Sequence, residues 1–323
     1  MSDIVLSMAT MPSRKKRLLE NIPSLVNGGQ TYDGFTKFYI NVSDDLEDSD
    51  YEFYEKLKDI DDRIEIVRCD GKWRSCNKLI PTLKSNADDA IITVDDDIFY
   101  PRESLERLVN EYEKNKDCII AHEINPVILG DDGSVTYLNT FDVKLKQREY
   151  GKYLTGCALF PPHVFDGTDV FNYDKMMELT DGCHDEIWFW VNSTLNKVQV
   201  IGLNYILSFE GEVKSEWHDD EFRLGNINSD ASNIRIYNHR INKLYGKELY
   251  DIISNFKVEI NVTCDNIYQA IEQYDYIIYL YAGRAAFNLN SLTKAWRERF
   301  IKLTKAWRER LINRITKNKM IRY

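Results

Sequence analysis

The chain has 323 residues, 43% hydrophobic and 29% charged, with 42 Lys and Arg against 52 Asp and Glu for a net charge of −10. Residues 291–323 carry +9 of their own, from eleven basic side chains and two acids, which leaves −19 on residues 1–290 and excludes nucleic acid as a partner of that body. No run approaches the ~20 apolar residues that cross a bilayer, and the six scattered cysteines, with no CxxC pair, read as reduced thiols rather than a disulfide frame.

The first half alternates strands and helices. Ile4–Met8 is an apolar run ending in Ala9-Thr10-Met11-Pro12-Ser13. Ser13 stands where a helix N-cap belongs, so the periodicity predicts a helix over Arg14–Val26. Strands are predicted at Lys37–Val42, Arg63–Arg68, Ala90–Val94 and Cys118–His122, and helices at Tyr51–Ile60, Cys76–Ser85 and Arg102–Lys114. This order predicts an α/β fold with a mostly parallel sheet and helices on both faces. Ligands of such sheets sit beyond the carboxyl ends of the strands, and four strands here end at Thr10, Asp44, Asp70 and Asp95.

The second half is less regular. Val127–Leu138 reads as a hairpin turning at Asp132-Gly133, and Gly156-Cys157-Ala158 as a tight loop. Glu186–Leu195 reads as a helix, Val198–Ile201 and Tyr205–Phe209 as strands, and the chain beyond Asn228 as helices, with Asn255–Gly283 ambiguous between strand and helix. The tail holds an internal repeat, LTKAWRERFIK followed by LTKAWRERLIN. Leu292, Trp296, Phe300, Leu303, Trp307, Leu311 and Ile315 form one stripe on a basic amphipathic helix. That pattern suits an anionic membrane surface. An eleven-residue period is also a coiled-coil period, which leaves a homo-oligomer seam open.

Two acidic constellations carry chemistry. Asp95-Asp96-Asp97 ends an apolar strand, and Asp95 and Asp97 share a side of an extended chain. Two such carboxylates suit one hard cation, Mn²⁺ or Mg²⁺, that counters the charge of a departing diphosphate. A solvated acidic turn is the plainer alternative. His184-Asp185-Glu186 opens a helix beside an aromatic run; Asp185, slightly ahead of Glu186, suits a base that takes a proton from an attacking hydroxyl. Both acids are also ordinary helix-start residues.

LSMATMPSR (6–14), NKLIPTL (77–83) and ITVDDDIFYP (92–101), in that order, resemble bacterial family 2-type glycosyltransferases of surface-polysaccharide loci over about residues 1–210. The resemblance implies a GT-A fold and inverting transfer from a nucleoside-diphosphate sugar, with a UDP-sugar foremost, to a glycan acceptor. It implies that Thr10, Pro12 and Arg14 line the nucleotide, that Asp44 and Asp70 lie near base and ribose, and that Asn77 and Lys78 contact the donor. Asp95, with Asp96 beside it, would face the ribose or the metal, Asp97 would bind the metal, and His218 would be a third metal ligand. The Gly71–Cys76 stretch departs from the family, where a Gly- or Pro-containing segment often precedes the lysine.

These readings divide the chain into a nucleotide-sugar half (1–125), an acceptor and catalytic half (126–227), a helical extension (228–290) and the basic repeat helix (291–323). The expected setting is cytoplasmic, peripheral on the inner membrane face, with a lipid-linked acceptor. A nucleotidyl- or phosphotransferase using the same acidic cluster, or a non-catalytic membrane adaptor, are the competing readings.

Overall fold

A computed structural model describes residues 2–138, 147–203, 231–262, 268, 270 and 285–305. The first half follows the predicted alternation: β1 (Ile4–Ala9), α1 (Lys15–Leu25), β2 (Lys37–Ser43), α2 (Asp48–Glu55), β3 (Ile64–Cys69), α3 (Ile80–Ser85), β4 (Ala90–Val94), α4 (Ser104–Tyr112) and β5 (Ile119–Ala121). Strands β6 (Ile124–Asn125), β7 (Val127–Leu129), β8 (Val135–Tyr137), β9 (Gln147–Glu149), β10 (Lys152–Tyr153) and β11 (Cys157–Phe160) follow. Then come α5 (Tyr173–Thr180), α6 (Asp185–Leu195), β12 (Val200–Gly202), α7 (Ala231–Ser254), β13 (Val258–Asn261) and β14 (Ala285–Asn288).

Among the described residues, ten strands form one sheet in the order β14-β13-β9-β12-β5-β11-β4-β1-β2-β3. The pairs β1–β2, β2–β3, β1–β4, β5–β12 and β13–β14 are parallel; β11 and β9 run against their neighbours. The sheet is therefore mixed but mostly parallel, and strand alternation divides its core in two. Ile4, Leu6 and Met8 of β1 face one layer, with Leu18 and Ile22 of α1 and Leu105, Leu108 and Tyr112 of α4. Val5 faces the other, with Leu179 of α5, Trp188 and Val191 of α6 and Ile241 of α7. Helices thus cover both faces, as parallel strands buried on both sides require.

Several local expectations change. Ser13 does not cap α1: a 3-10 turn at Pro12–Arg14 intervenes and the helix begins at Lys15. The predicted helix at Cys76–Ser85 splits into a 3-10 segment, Gly71–Lys78, and the short α3, with Pro81 in the first turn of the latter. The 3-10 segment is kinked at Arg74, whose φ is +48°. Gly156 lies in a turn, but Cys157–Phe160 is a central buried strand rather than loop, its apolar residues lacking clear alternation because both faces are covered. The hairpin forms as β7–β8, with Gly133 at φ +82° in its turn. Asn238 and Asn242 of α7 each bond both the N–H and the C=O of Tyr137 and Val135, occupying the outer edge of β8. Tyr205–Phe209 lies outside the described residues.

The tail's first repeat unit packs inside the molecule. A helix over 294–305 places Leu292 and Phe300 against Val258, Ile260 and Val262 near β13, with Trp296 partly buried beside them. The stripe expected to face lipid is, in this unit, part of a third core. The second unit lies beyond 305, apart from its first three residues, outside the described residues.

Candidate active site

Four segments meet at the carboxyl edge of β4: its own end with Asp95, Asp96 and Asp97, the Gly71–Lys78 segment after β3, the Thr155–Gly156 turn entering β11, and the start of α6. Lys78 joins them. Its Nζ lies 2.6 Å from Asp95 Oδ1, 3.3 Å from Asp185 Oδ2 and 3.3 Å from Thr155 Oγ1. Thr155 Oγ1 donates in turn to Asp185 Oδ2 at 2.6 Å. Burial opposes the Lys78 charge, yet Asp185 and Asp95 outweigh it and raise its pKa. Burial also opposes the Asp185 charge, but Lys78 and Thr155 bring that carboxyl below its ordinary value. Desolvation raises Asp95 instead, Asp97 adding to the effect and Lys78 resisting it.

The three aspartates have separate environments. Asp95 and Asp97 keep 28% and 22% of their side chains exposed, whereas Asp96 keeps 2%. Asp96 Oδ1 meets Arg14 NH1 at 2.5 Å. Burial pushes the Asp96 carboxyl up to about 6 against the pull of Arg14. Asp96 is thus buried against Arg14, whereas Asp95 and Asp97 keep exposed oxygens. Arg14 is committed to Asp96, with Asp97 Oδ2 at 3.5 Å. The backbone of the cluster is held by Asn21, which donates to Asp95 O at 2.9 Å, and by Tyr100, whose hydroxyl accepts the Asp95 N–H and donates to Gly156 O.

Thr10 and Pro12 follow β1 on the same edge, both half-buried. Asp44 and Asp70 follow the paired ends of β2 and β3, and the Asp44 N–H bonds Cys69 O. Asp44 is exposed; Asp70 accepts the Lys72 N–H as a helix cap and pairs with Lys72 Nζ at 2.7 Å. Asn77, expected at the donor, is buried, and its Nδ2 donates to Asp70 O within its own loop. Glu186 pairs with Lys152 at 2.6 Å; Lys152 is buried beneath the Tyr137 ring, 5.4 Å from its centroid. His184 is buried edge-on against Tyr237, and burial and Lys152 lower its pKa to about 4. His218 lies outside the described residues.

Thr155, Tyr100, Asn21 and Lys152 belong to this site and were not singled out from the sequence. Tyr100 stands inside the ITVDDDIFYP stretch, but its role depends on a bend that no periodicity encodes. Thr155 precedes the flagged Gly156 and carries no signal of its own.

The residues present fit a hard divalent cation in part. Asp95 and Asp97 supply partly exposed carboxylate oxygens, and Gly156 keeps one clear: a Cβ there would stand 2.6 Å from Asp95 Oδ2. Among the described residues no three His, Cys, Asp or Glu side chains are grouped as a complete ligand set. Further positions are left to ligand oxygens.

Residues 11–154 match the model of the family described as glycosyl transferase family 2. That stretch is similar to a glycosyltransferase domain. The matched stretch contains Arg14, Lys78 and the Asp95–Asp97 cluster and stops one residue short of Thr155; Asp185 joins it through Lys78 and Glu186 through Lys152. Similar solved structures include Staphylococcus aureus TarS residues 1–349, at 13% identity and TM-score 0.45, covering 87% of this chain and 81% of that one. A further S. aureus TarS structure matches at 16% identity and TM-score 0.40 over 62% of this chain and 35% of that chain. A crystal structure of 4-diphosphocytidyl-2C-methyl-D-erythritol synthase matches at 11% identity and TM-score 0.33, covering 58% and 84%. No curated protein matches the sequence. Among the described residues, no helix is long and apolar enough to cross a membrane.

Proposed function

We propose that this chain transfers a sugar, with inversion, from a nucleoside-diphosphate donor, foremost a UDP-sugar, to a hydroxyl of a glycan acceptor. The observation that carries the reading is the Lys78 bridge, which brings a strand-end carboxylate and a helix-start carboxylate to one ammonium. Asp95 and Asp97 would hold Mn²⁺ or Mg²⁺, which when bound supplies a counter-charge to the diphosphate. Lys78 adds a second positive charge at the same place, buried and so little screened by salt. Asp185 takes the proton of the acceptor hydroxyl as its oxygen bonds to the anomeric carbon; the carbon–oxygen bond to the diphosphate breaks and its electron pair leaves with the phosphate oxygen. A carboxylate of lowered pKa is a weak base toward a free alcohol, but the hydroxyl becomes strongly acidic as its oxygen bonds to carbon. Glu186, held by Lys152, sits one residue on and is suited to an acceptor hydroxyl at the rim.

The acceptor proposed is lipid-linked, presented at an anionic inner membrane face to which the basic residues 303–323 bind. The support is their charge together with the repeat of the LTKAWRER unit. A thermal-shift screen of UDP, GDP, CMP and dTDP with and without Mn²⁺ tests the donor site, and product analysis tests the chemistry. Release of a nucleoside diphosphate supports glycosyl transfer; release of pyrophosphate would move the reading to a nucleotidyltransferase.

A further inference from the structure

The register that pairs Val94 with Cys157 across β4 and β11 sets Asp95 opposite Gly156 on the next rung. Between antiparallel strands, such a pair can close with a direct N–H to C=O bond. Here the Tyr100 hydroxyl stands between them. It accepts the Asp95 N–H at 2.6 Å and donates its own proton to Gly156 O. The ring is buried in the core formed with β4, β11 and α4, 5% exposed, so the hydroxyl is held from behind.

We propose that Tyr100 is a positioning residue for the donor and cation site, its hydroxyl wedged into the β4–β11 ladder to set the gap in which Asp95 stands. Three observations converge on that gap. The Asp95 carbonyl is held by Asn21, so the residue is fixed on both sides of its backbone. Asp95 Oδ2 occupies the space a Gly156 side chain would take. Thr155, one residue before the bridged carbonyl, contacts both Lys78 and Asp185. One phenol therefore ties the acidic strand end to the turn that supports the proposed base. Without the hydroxyl, either the two backbone groups bond directly and draw Asp95 toward β11, or they remain unpaired and the strand end wanders. Both displace the carboxylate that faces the cation. The inference rests on the proposed donor site.

The test compares wild type, Tyr100→Phe and Gly156→Ala in the full chain. Mn²⁺ binding is followed by electron paramagnetic resonance with MnCl₂ alone, UDP binding by calorimetry with Mn²⁺ present, and folding by melting temperature. Tyr100→Phe is expected to weaken Mn²⁺ about tenfold or more, the size of loss usual when the support of a metal ligand is removed, and to weaken UDP in parallel while remaining folded. Mn²⁺ and UDP affinities within twofold of wild type would overturn the proposal. If Tyr100→Phe does not fold, Gly156→Ala carries the test: its methyl group enters the same gap, and unchanged Mn²⁺ affinity there would also overturn the wedge. A wild type that binds neither Mn²⁺ nor any nucleoside diphosphate removes the donor-site reading itself and the wedge with it.

Discussion

Lys78 pairs with two carboxylates, and its removal tests that bridge through stability. Lys78→Met strands Asp95 and Asp185 with no cation, an arrangement that costs on the order of 3–5 kcal/mol when the charges stay buried. The carboxyls escape part of that cost by taking up protons, so urea denaturation should show a larger loss at pH 8 than at pH 5. Equal losses at both pH values would mean that the bridge is not ionic. His122 gives a second pH signature. It is buried with Nε2 3.1 Å from Ser104 O, and burial holds its pKa at about 4 against an ordinary 6.5. The unfolded chain takes up a proton near pH 6.5 while the folded chain resists until about pH 4. Its stabilising share is therefore complete above pH 6.5 and is lost as pH falls toward 4, by at most roughly 3 kcal/mol. Asp96, raised to about 6, acts with the opposite sign between about pH 4 and 6. His122→Gln should flatten the acid loss seen in wild type, measured as urea midpoint against pH. Residue identities at the site were partly readable: an apolar run ending in three aspartates says that carboxylates face a ligand edge. That Asp96 turns to Arg14 depends on strand geometry 82 residues apart in sequence, and no local pattern states it.

At the scale of elements, the segment Gly71–Lys78 carries the strain. Arg74 sits at φ 48°, ψ −124°, a conformation that glycine accepts and a side chain resists. Its guanidinium reaches Asp181 O at 3.5 Å beside Gly182, so the kink spans toward α5 and α6. Arg74→Gly should raise stability by about 1 kcal/mol, read as a higher melting temperature, because strain of about 1–3 kcal/mol is relieved against the entropy of a new glycine. A lower melting temperature would mean that the Arg74 contacts outweigh the strain. The parallel strands and flanking helices were legible because each is an apolar run of the right length bounded by turn residues. Cys157–Phe160 was not: a strand buried on both faces lacks the alternation that identifies one, and the glycine before it reads as loop. The helix at Cys76–Ser85 was placed correctly only in its second half, since Pro81 favours a helix start nearby and no residue pattern announces a 3-10 turn.

Across the whole molecule, charge and core divide the tail. Its first repeat unit is anchored by Leu292 and Phe300 against β13, so Phe300→Ala should cost about 3–5 kcal/mol wherever that third core unfolds with the rest. The basic second unit supplies the proposed membrane contact. Deleting residues 306–323 should remove binding to vesicles containing anionic lipid while leaving the melting temperature near wild type, and wild-type binding should weaken as salt rises. Binding that survives the deletion would place the contact elsewhere. The sequence showed the amphipathic stripe but not its occupant, because the same leucines and tryptophans serve lipid, a partner helix or the chain's own sheet equally well.

The proposed role of Asp185 is to take the acceptor proton beside the Asp95–Asp97 cluster. The most direct measurement is nucleoside-diphosphate release by Asp185→Asn, with donor, Mn²⁺ and acceptor present, set against calorimetric binding of UDP to the same variant. Loss of a general base should lower kcat by about 10²–10⁴-fold while UDP affinity stays within a few fold of wild type. Turnover close to wild type in that variant would contradict the assignment of Asp185 and the catalytic role given to the Lys78 bridge.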